Sequence, residues 1–138
     1  MGYDIASEPE RRLAAERARD TGEFAITGRI RLVQDEKAES AALFLLPVYR
    51  AGMPVTTVAA RRAALVGWVD QAFRIADIMA DVRSARAGDV DFEIYDEETL
   101  TPAALLYDAD QTQSALTEGG RNSLRQEARV QIGGRNWR

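Results

Sequence analysis

The side chains in this sequence able to bind a metal or move a proton are almost all carboxylates. Asp89, Asp91, Glu93, Asp96, Glu97 and Glu98 form one dense group. On a strand, Asp91 and Glu93 share a face and could hold a divalent cation through their oxygens. The stretch lacks the glycine-spaced ligand pattern of a calcium loop, so a solvated acidic face is the plainer reading. Asp108 and Asp110 invite the same comparison. Paired carboxylates could also perform glycoside chemistry, but nothing else points to a hydrolase. The 138 residues contain no histidine and no cysteine. That removes the commonest general base, the commonest metal ligand, the Ser/His and Cys/His nucleophile pairs, thiolate metal sites and disulfides. The expectation is a chain with no catalytic constellation, no metal site and no cofactor.

A binding role is better supplied. Arg11, at the start of a helix, could clamp a carboxylate or phosphate, because guanidinium and free helix amides both favour anions. It could equally pair with Glu8 or Glu10. Thr27 could donate to a ligand or serve as a β-former in the core. Arg29 and Arg31 share its strand face, and both cannot be buried without partners. That face is therefore cavity or solvent, or it meets acids such as Glu16 and Asp70; Arg31 is placed near the pocket. Tyr49 and Trp68 could stack on a planar ligand, though core packing is the more frequent role.

These residues need elements to position them. Ser7-Glu8-Pro9-Glu10 reads as a helix start, with a reciprocal capping box between Ser7 and Glu10 and a proline tolerated in the first turn. The helix carries Leu13, Ala14, Arg17 and Ala18 along one thin face, and Gly22 ends it. Phe24 to Val33 alternates with a period of two, which predicts a strand with Phe24, Ile26, Ile30 and Leu32 on one side. Ala41 to Tyr49 is a nearly continuous apolar run, a strand covered on both faces or lining a cavity. Pro47 within it should turn its missing N–H towards an edge, a bulge or a ligand. Residues 50–59 read as a loop, and Ala64 to Phe73 as a third strand.

Ile75, Ile78, Met79 and Val82 stand at helical spacing, closed by Gly88. Two short strands around Phe92 and Leu106 follow, then a polar segment with one helical turn near Ser114 to Thr117, and a last strand within Leu124–Trp137. The order is α+β, with neighbouring strands mostly antiparallel. It fits a PAS-like antiparallel sheet with flanking helices and a small cavity between.

The formal net charge is -4, with acids and bases interspersed, which argues against a nucleic-acid binder. No segment approaches the roughly 20 apolar residues of a membrane span, and the first residues lack the layout of a signal peptide. Gly2-Tyr3-Asp4 and the abrupt strand-like end are what a domain excised from a longer protein would show.

The wording of the central stretch is more specific than its periodicity. ERRLAAERARDTGEFAITGRIRLVQ, then LFLLPVYR, then RRAALVGWVDQAFRIADIM resembles the second half of a CHASE domain. The resemblance rests on Ala18-Arg19-Asp20-Thr21-Gly22, Thr27-Gly28 with Leu32, Pro47-Val48-Tyr49, and Gly67-Trp68 followed by a helix. It covers Tyr3 to about Val82; the tail VQIGGRNWR resembles the family's last strand before its second membrane span.

The resemblance implies the extracytoplasmic sensor of a membrane histidine kinase or diguanylate cyclase, in the periplasm or outside the cell. It implies a homodimer that meets the membrane only through flanking segments. It further implies a partial tandem PAS-like arrangement: residues 1–73 in the membrane-distal module, 74–88 as a connecting helix, 89–138 in the proximal module. The plant cytokinin receptors resemble this family. Matched to them, the ligand's anchoring acid falls on Arg11, the core threonine on Thr27, and two lining residues on Val33 and Leu45. The expected ligand site is therefore Arg11, Thr27, Arg31, Val33, Leu45 and Tyr49. The ligand is a small organic molecule, an anion among the options, and the acid-to-base change at Arg11 argues against cytokinin. The alternative is a structural or dimerisation module of such a receptor with no small-molecule ligand.

Overall fold

The structure is a computed structural model that describes residues 7–30, 40–85, 91–96, 100–111 and 126–138. The first helix, α1, spans Pro9–Thr21. Glu8 is its N-cap and makes no side-chain capping bond, one residue after the cap position expected at Ser7. The proline explains the shift: with its fixed φ and no N–H it suits the first helical position, which puts the cap at Glu8. Gly22 closes the helix in the left-handed region at φ 80°, where a glycine costs nothing, and its N–H donates to the Ala18 carbonyl.

The face α1 buries is Arg11, Ala14, Ala15 and Ala18. The expected stripe is thus rotated, and Leu13 is 55% exposed. The small side chains of Ala14, Ala15 and Ala18 let the helix axis approach the sheet closely. A leucine on that line would hold it off.

A three-stranded sheet is ordered β1 (Ala25–Ile26), β2 (Ala41–Tyr49), β3 (Leu65–Arg74), antiparallel throughout. The β2 range is the apolar run itself. Over the described part of the Phe24–Val33 alternation, β1 is shorter than predicted; residues 31–33 lie outside the described residues. Ala25 pairs with Leu45 and Ile26 with Phe44, and Thr27 donates its N–H to the Leu43 carbonyl. The next pairing is Ile30 with Ala41, so β1's side of the ladder carries one extra residue. That is a β-bulge, and it reverses the parity. Ile26 packs on one face of the sheet and Ile30 on the other, where the sequence alternation puts both on the same side. β1 pairs with β2 only as far as Leu45, so Pro47 lies beyond the end of that ladder, at an edge.

Residues 50–59 are not all loop. Thr57 caps a short helix, α2 (Val58–Ala64), by accepting from the Ala60 amide. β3 then begins at Leu65. Helix α3 covers Ile75–Ala85; the expected closure at Gly88 lies outside the described residues. β4 (Glu93–Tyr95) pairs with β5 (Leu105–Asp108). The expected last strand is a hairpin, β6 (Val130–Ile132) and β7 (Arg135–Trp137), joined by Gly133 and Gly134 at φ 52° and 75°. Two successive positive φ values are what a tight two-residue turn requires. The helical turn expected near Ser114–Thr117 lies outside the described residues.

The chain is α+β, built from antiparallel sheets and flanking helices in keeping with a PAS-like fold. Two apolar cores flank the first sheet. Between α1 and the sheet lie Ala14, Ala15, Ala18, Ala25, Ile30, Ala41, Leu43 and Leu45, with Trp68 alongside. On the opposite face Ile26, Ala42, Ile75 and Leu106 pack with the stacked rings of Phe44 and Phe73, centroids 4.4 Å apart, and with Trp137.

Candidate functional site

The two ends of α1 are held very differently. At its C-terminal end three backbone carbonyls are satisfied, one by the helix's own cap and two by other elements, as helix ends require. The Gly22 N–H takes Ala18, the Tyr49 hydroxyl donates to the Arg19 carbonyl at 2.6 Å, and Arg61 Nε donates to that of Asp20 at 2.8 Å. The Asp20 carboxylate accepts from Arg62 through both oxygens, at 2.9 and 2.6 Å, and from Arg19 at 2.7 Å. The hydrogen bonds from Arg62 and Arg19 hold its carboxyl well below the usual carboxylate range. Burial pushes the Tyr49 hydroxyl pKa up. Midway, the Trp68 indole donates to the Ala15 carbonyl at 2.9 Å.

At the N-terminal end, charged groups and the bulge come together. Arg11 is buried and pairs with Glu8, Nε to Oε2 at 2.5 Å. Glu10 reaches the bulge: a methyl group added at Gly28 would stand 2.6 Å from Glu10 Oε2 and 3.2 Å from an Arg135 guanidinium nitrogen. Arg135, from β7, lies 3.9 Å from Glu10 and forms a two-pronged pair with Asp96, at 2.7 and 2.6 Å. Both ends of that pair are largely buried, so solvent screens it little.

Thr27 stands at the bulge and is 2% exposed. The Leu43 amide donates to Thr27 Oγ1 at 3.0 Å while Thr27 N–H donates to the Leu43 carbonyl. The hydroxyl thus takes the place of the Thr27 backbone carbonyl in the ladder. This frees the backbone to turn away at Gly28, and it is the local cause of the bulge. Arg29 is exposed and donates to the Leu105 carbonyl at 3.4 Å.

Of the six residues the sequence singles out, the structure brings Arg11 and Thr27 to this N-terminal end. Leu45 is fully buried in the alanine-lined core behind it. Tyr49 lies at the far end of the helix, about 12 Å along the axis from Arg11. Arg31 and Val33 lie outside the described residues. Glu10, Gly28, Asp96 and Arg135 also gather here and were not expected as site residues.

Of the acidic group, Asp96 lies here, paired with Arg135, while Asp89, Glu97 and Glu98 lie outside the described residues. Asp91, Asp108 and Asp110 bring carboxylate oxygens within 4.8 Å of one another on a mostly exposed surface. Asp108 Oδ1 accepts the amides of Asp110 and Gln111, a turn-forming role. Glu93, expected beside Asp91, accepts the Tyr95 hydroxyl instead.

Comparison with known families matches the CHASE domain over residues 1–107. No curated protein matches the chain. The match spans well over half of the sequence, and the chain belongs to the CHASE domain family. CHASE domains are extracytoplasmic sensor domains of membrane receptors, sensory rather than catalytic. Among the described residues no helix is long and apolar enough to cross a membrane.

Proposed function

We propose that this CHASE domain senses a small organic ligand at the N-terminal end of α1, beside the bulge at Thr27. The observation that carries this reading is the asymmetry of the helix. Its C-terminal end is clasped by Tyr49, Arg61 and Gly22, whereas its N-terminal end is set against Gly28 through Glu10 and Arg135. The face between is three alanines, whose buried methyl groups contribute about 2–3 kcal/mol together at roughly 0.8 kcal/mol each. A ligand competing for the charged groups at this end can shift the helix without dismantling the core.

Arg11 is the proposed anion partner and Thr27 the proposed hydroxyl contact, with Arg31 and Val33 as further contacts from the chain that follows. Leu45 forms the apolar wall behind, and Tyr49 acts through the opposite end of the helix. Binding favours one packing of α1 on the sheet and so shifts the population of a dimeric receptor, signalling across the membrane to a kinase or diguanylate cyclase output. In this reading residues 1–73 belong to a membrane-distal module and 89–138 to a proximal one, joined through 74–88.

A thermal-shift screen of the domain against small carboxylates, purines and short peptides tests it. One class raises the midpoint, and the shift disappears in Arg11→Ala but persists in Tyr49→Phe. A panel without a hit, or a shift indifferent to Arg11→Ala, overturns it.

One observation favours a second reading, dimerisation without a ligand. Leu46 and its register partner Val69 are 51% and 61% exposed, and Val66 is 64% exposed on the same pair of strands. Sedimentation of the wild type and Val69→Glu decides: a dimer lost in the variant supports this reading, and two identical monomers exclude it.

A further inference from the structure

We propose that the β6–β7 hairpin is a latch that couples the bulged end of β1 and helix α1 to β4, through Gly133, Gly134 and Arg135. Its role in sensing rests on the ligand reading above, but the coupling itself is a property of the fold. Its contacts lie on two sides. The Gly133 carbonyl accepts the Ile26 amide at 3.1 Å, and a methyl group on Gly133 would stand 2.6 Å from that same nitrogen. A methyl group on Gly134 would stand 2.5 Å from Arg17 Cδ on α1. Gly133 has no room for a side chain against the Ile26 backbone, and Gly134 lies against the Arg17 side chain, so the turn is seated between strand and helix.

On the other side, Arg135 holds Asp96 with two hydrogen bonds, and β7 continues into a reciprocal backbone pair. Tyr95 N–H donates to Arg138 O at 2.9 Å and Arg138 N–H to Tyr95 O at 3.0 Å. Arg135 is thus the common member: it faces Asp96 on the β4 side and Glu10 with Gly28 on the helix side. A shift of the α1 N-terminus or of the bulge must change the seat of this guanidinium. The short hairpin then carries the change to Tyr95 and Arg138.

Because the coupling needs no ligand, it can be tested independently of the sensing proposal. The measurement is residue-resolved hydrogen exchange on the 138-residue chain, comparing wild type, Gly133→Ala, Asp96→Asn and the conservative Arg135→Lys. In Gly133→Ala the Tyr95 and Arg138 amides exchange about tenfold faster, although the substitution touches Ile26. In Asp96→Asn the Ile26 amide also exchanges about tenfold faster, although Asp96 is bonded to Arg135. Arg135→Lys, which keeps the charge but not the two-pronged geometry, shows both effects in weaker form. The β2–β3 ladder keeps its protection in all three. Effects confined to the mutated side overturn the latch. So does a uniform rise that includes the β2–β3 amides, which would make the hairpin an ordinary part of one cooperative core. A failed ligand screen, by contrast, would leave these exchange patterns unchanged.

Discussion

Tyr49→Phe isolates the clasp on α1 more cleanly than any other substitution. It keeps the ring and removes one oxygen, and the structure assigns that oxygen one task, donating to the Arg19 carbonyl at 2.6 Å. That carbonyl lies in the last turn of α1, where no later amide of the helix can serve it. A neutral hydrogen bond contributes about 0.5–1.5 kcal/mol net, and leaving a partner buried and unpaired adds to the loss. The hydroxyl is only partly buried, so water recovers some of the loss for the carbonyl. The expected cost is therefore about 1 kcal/mol, or roughly 3–5 °C in the thermal midpoint of a chain this size. Denaturant unfolding followed by far-ultraviolet circular dichroism measures it, with an unchanged slope showing that the unfolded state has not altered. An unchanged or higher midpoint would refute the clasp, and with it the asymmetry on which the ligand site is argued.

Other expectations follow from the same contacts. Thr27→Val strands the buried Leu43 amide and should cost about 1–3 kcal/mol, whereas Thr27→Ser, which keeps the hydroxyl, should recover most of it in the same unfolding assay. Leu45→Ala should cost about 2–5 kcal/mol because the side chain is fully buried, while Leu13→Ser, on the exposed side of α1, should stay within about 0.5 kcal/mol of wild type. Asp20 has a folded pKa depressed below its unfolded value, so its stabilising contribution is complete above the ordinary carboxylate range and is lost as pH falls through it. Stability measured from about pH 5 downwards should therefore fall more steeply in the wild type than in Asp20→Asn; parallel acid limbs would remove Asp20 from the account.

What the sequence revealed, and what it hid, divides along physical lines. β2 was legible because a continuous apolar run between polar segments needs no tertiary information. The family was legible because the ARDTG, TG, PVY and GW residues lie in the stretch that folds into α1, the bulge, β2 and β3. The bulge was not legible, since it arises when the Thr27 hydroxyl takes an amide from Leu43, a residue far along the chain. That one bond shortens β1 and sends Ile26 and Ile30 to opposite faces. α2 was hidden because its alanines and arginines read equally well as the opening of a strand; the Thr57 cap was its only mark. The hairpin did have a visible signature, the Gly133-Gly134 pair, which an uninterrupted strand would not contain.

At the candidate site, Arg11 and Thr27 were found from the resemblance. Glu10, Asp96 and Arg135 could not be, because charges on an exposed-looking helix and on two short strands disclose no partner until the strands are placed. Tyr49 shows the same limit from the other side. An aromatic at the end of a strand suggests stacking on a ligand, and only the fold reveals that its hydroxyl ends a helix.

The most direct test of the central claim is a nitrogen–proton correlation titration of the domain with the compound class that raises its thermal midpoint. If the ligand binds at the N-terminal end of α1, chemical-shift changes will concentrate at Glu8–Arg12 and Thr27–Arg29, with the Arg19–Gly22 amides nearly still. Changes centred on the Tyr49 end of the helix, or on the exposed Val66 and Val69 of β3, would contradict it.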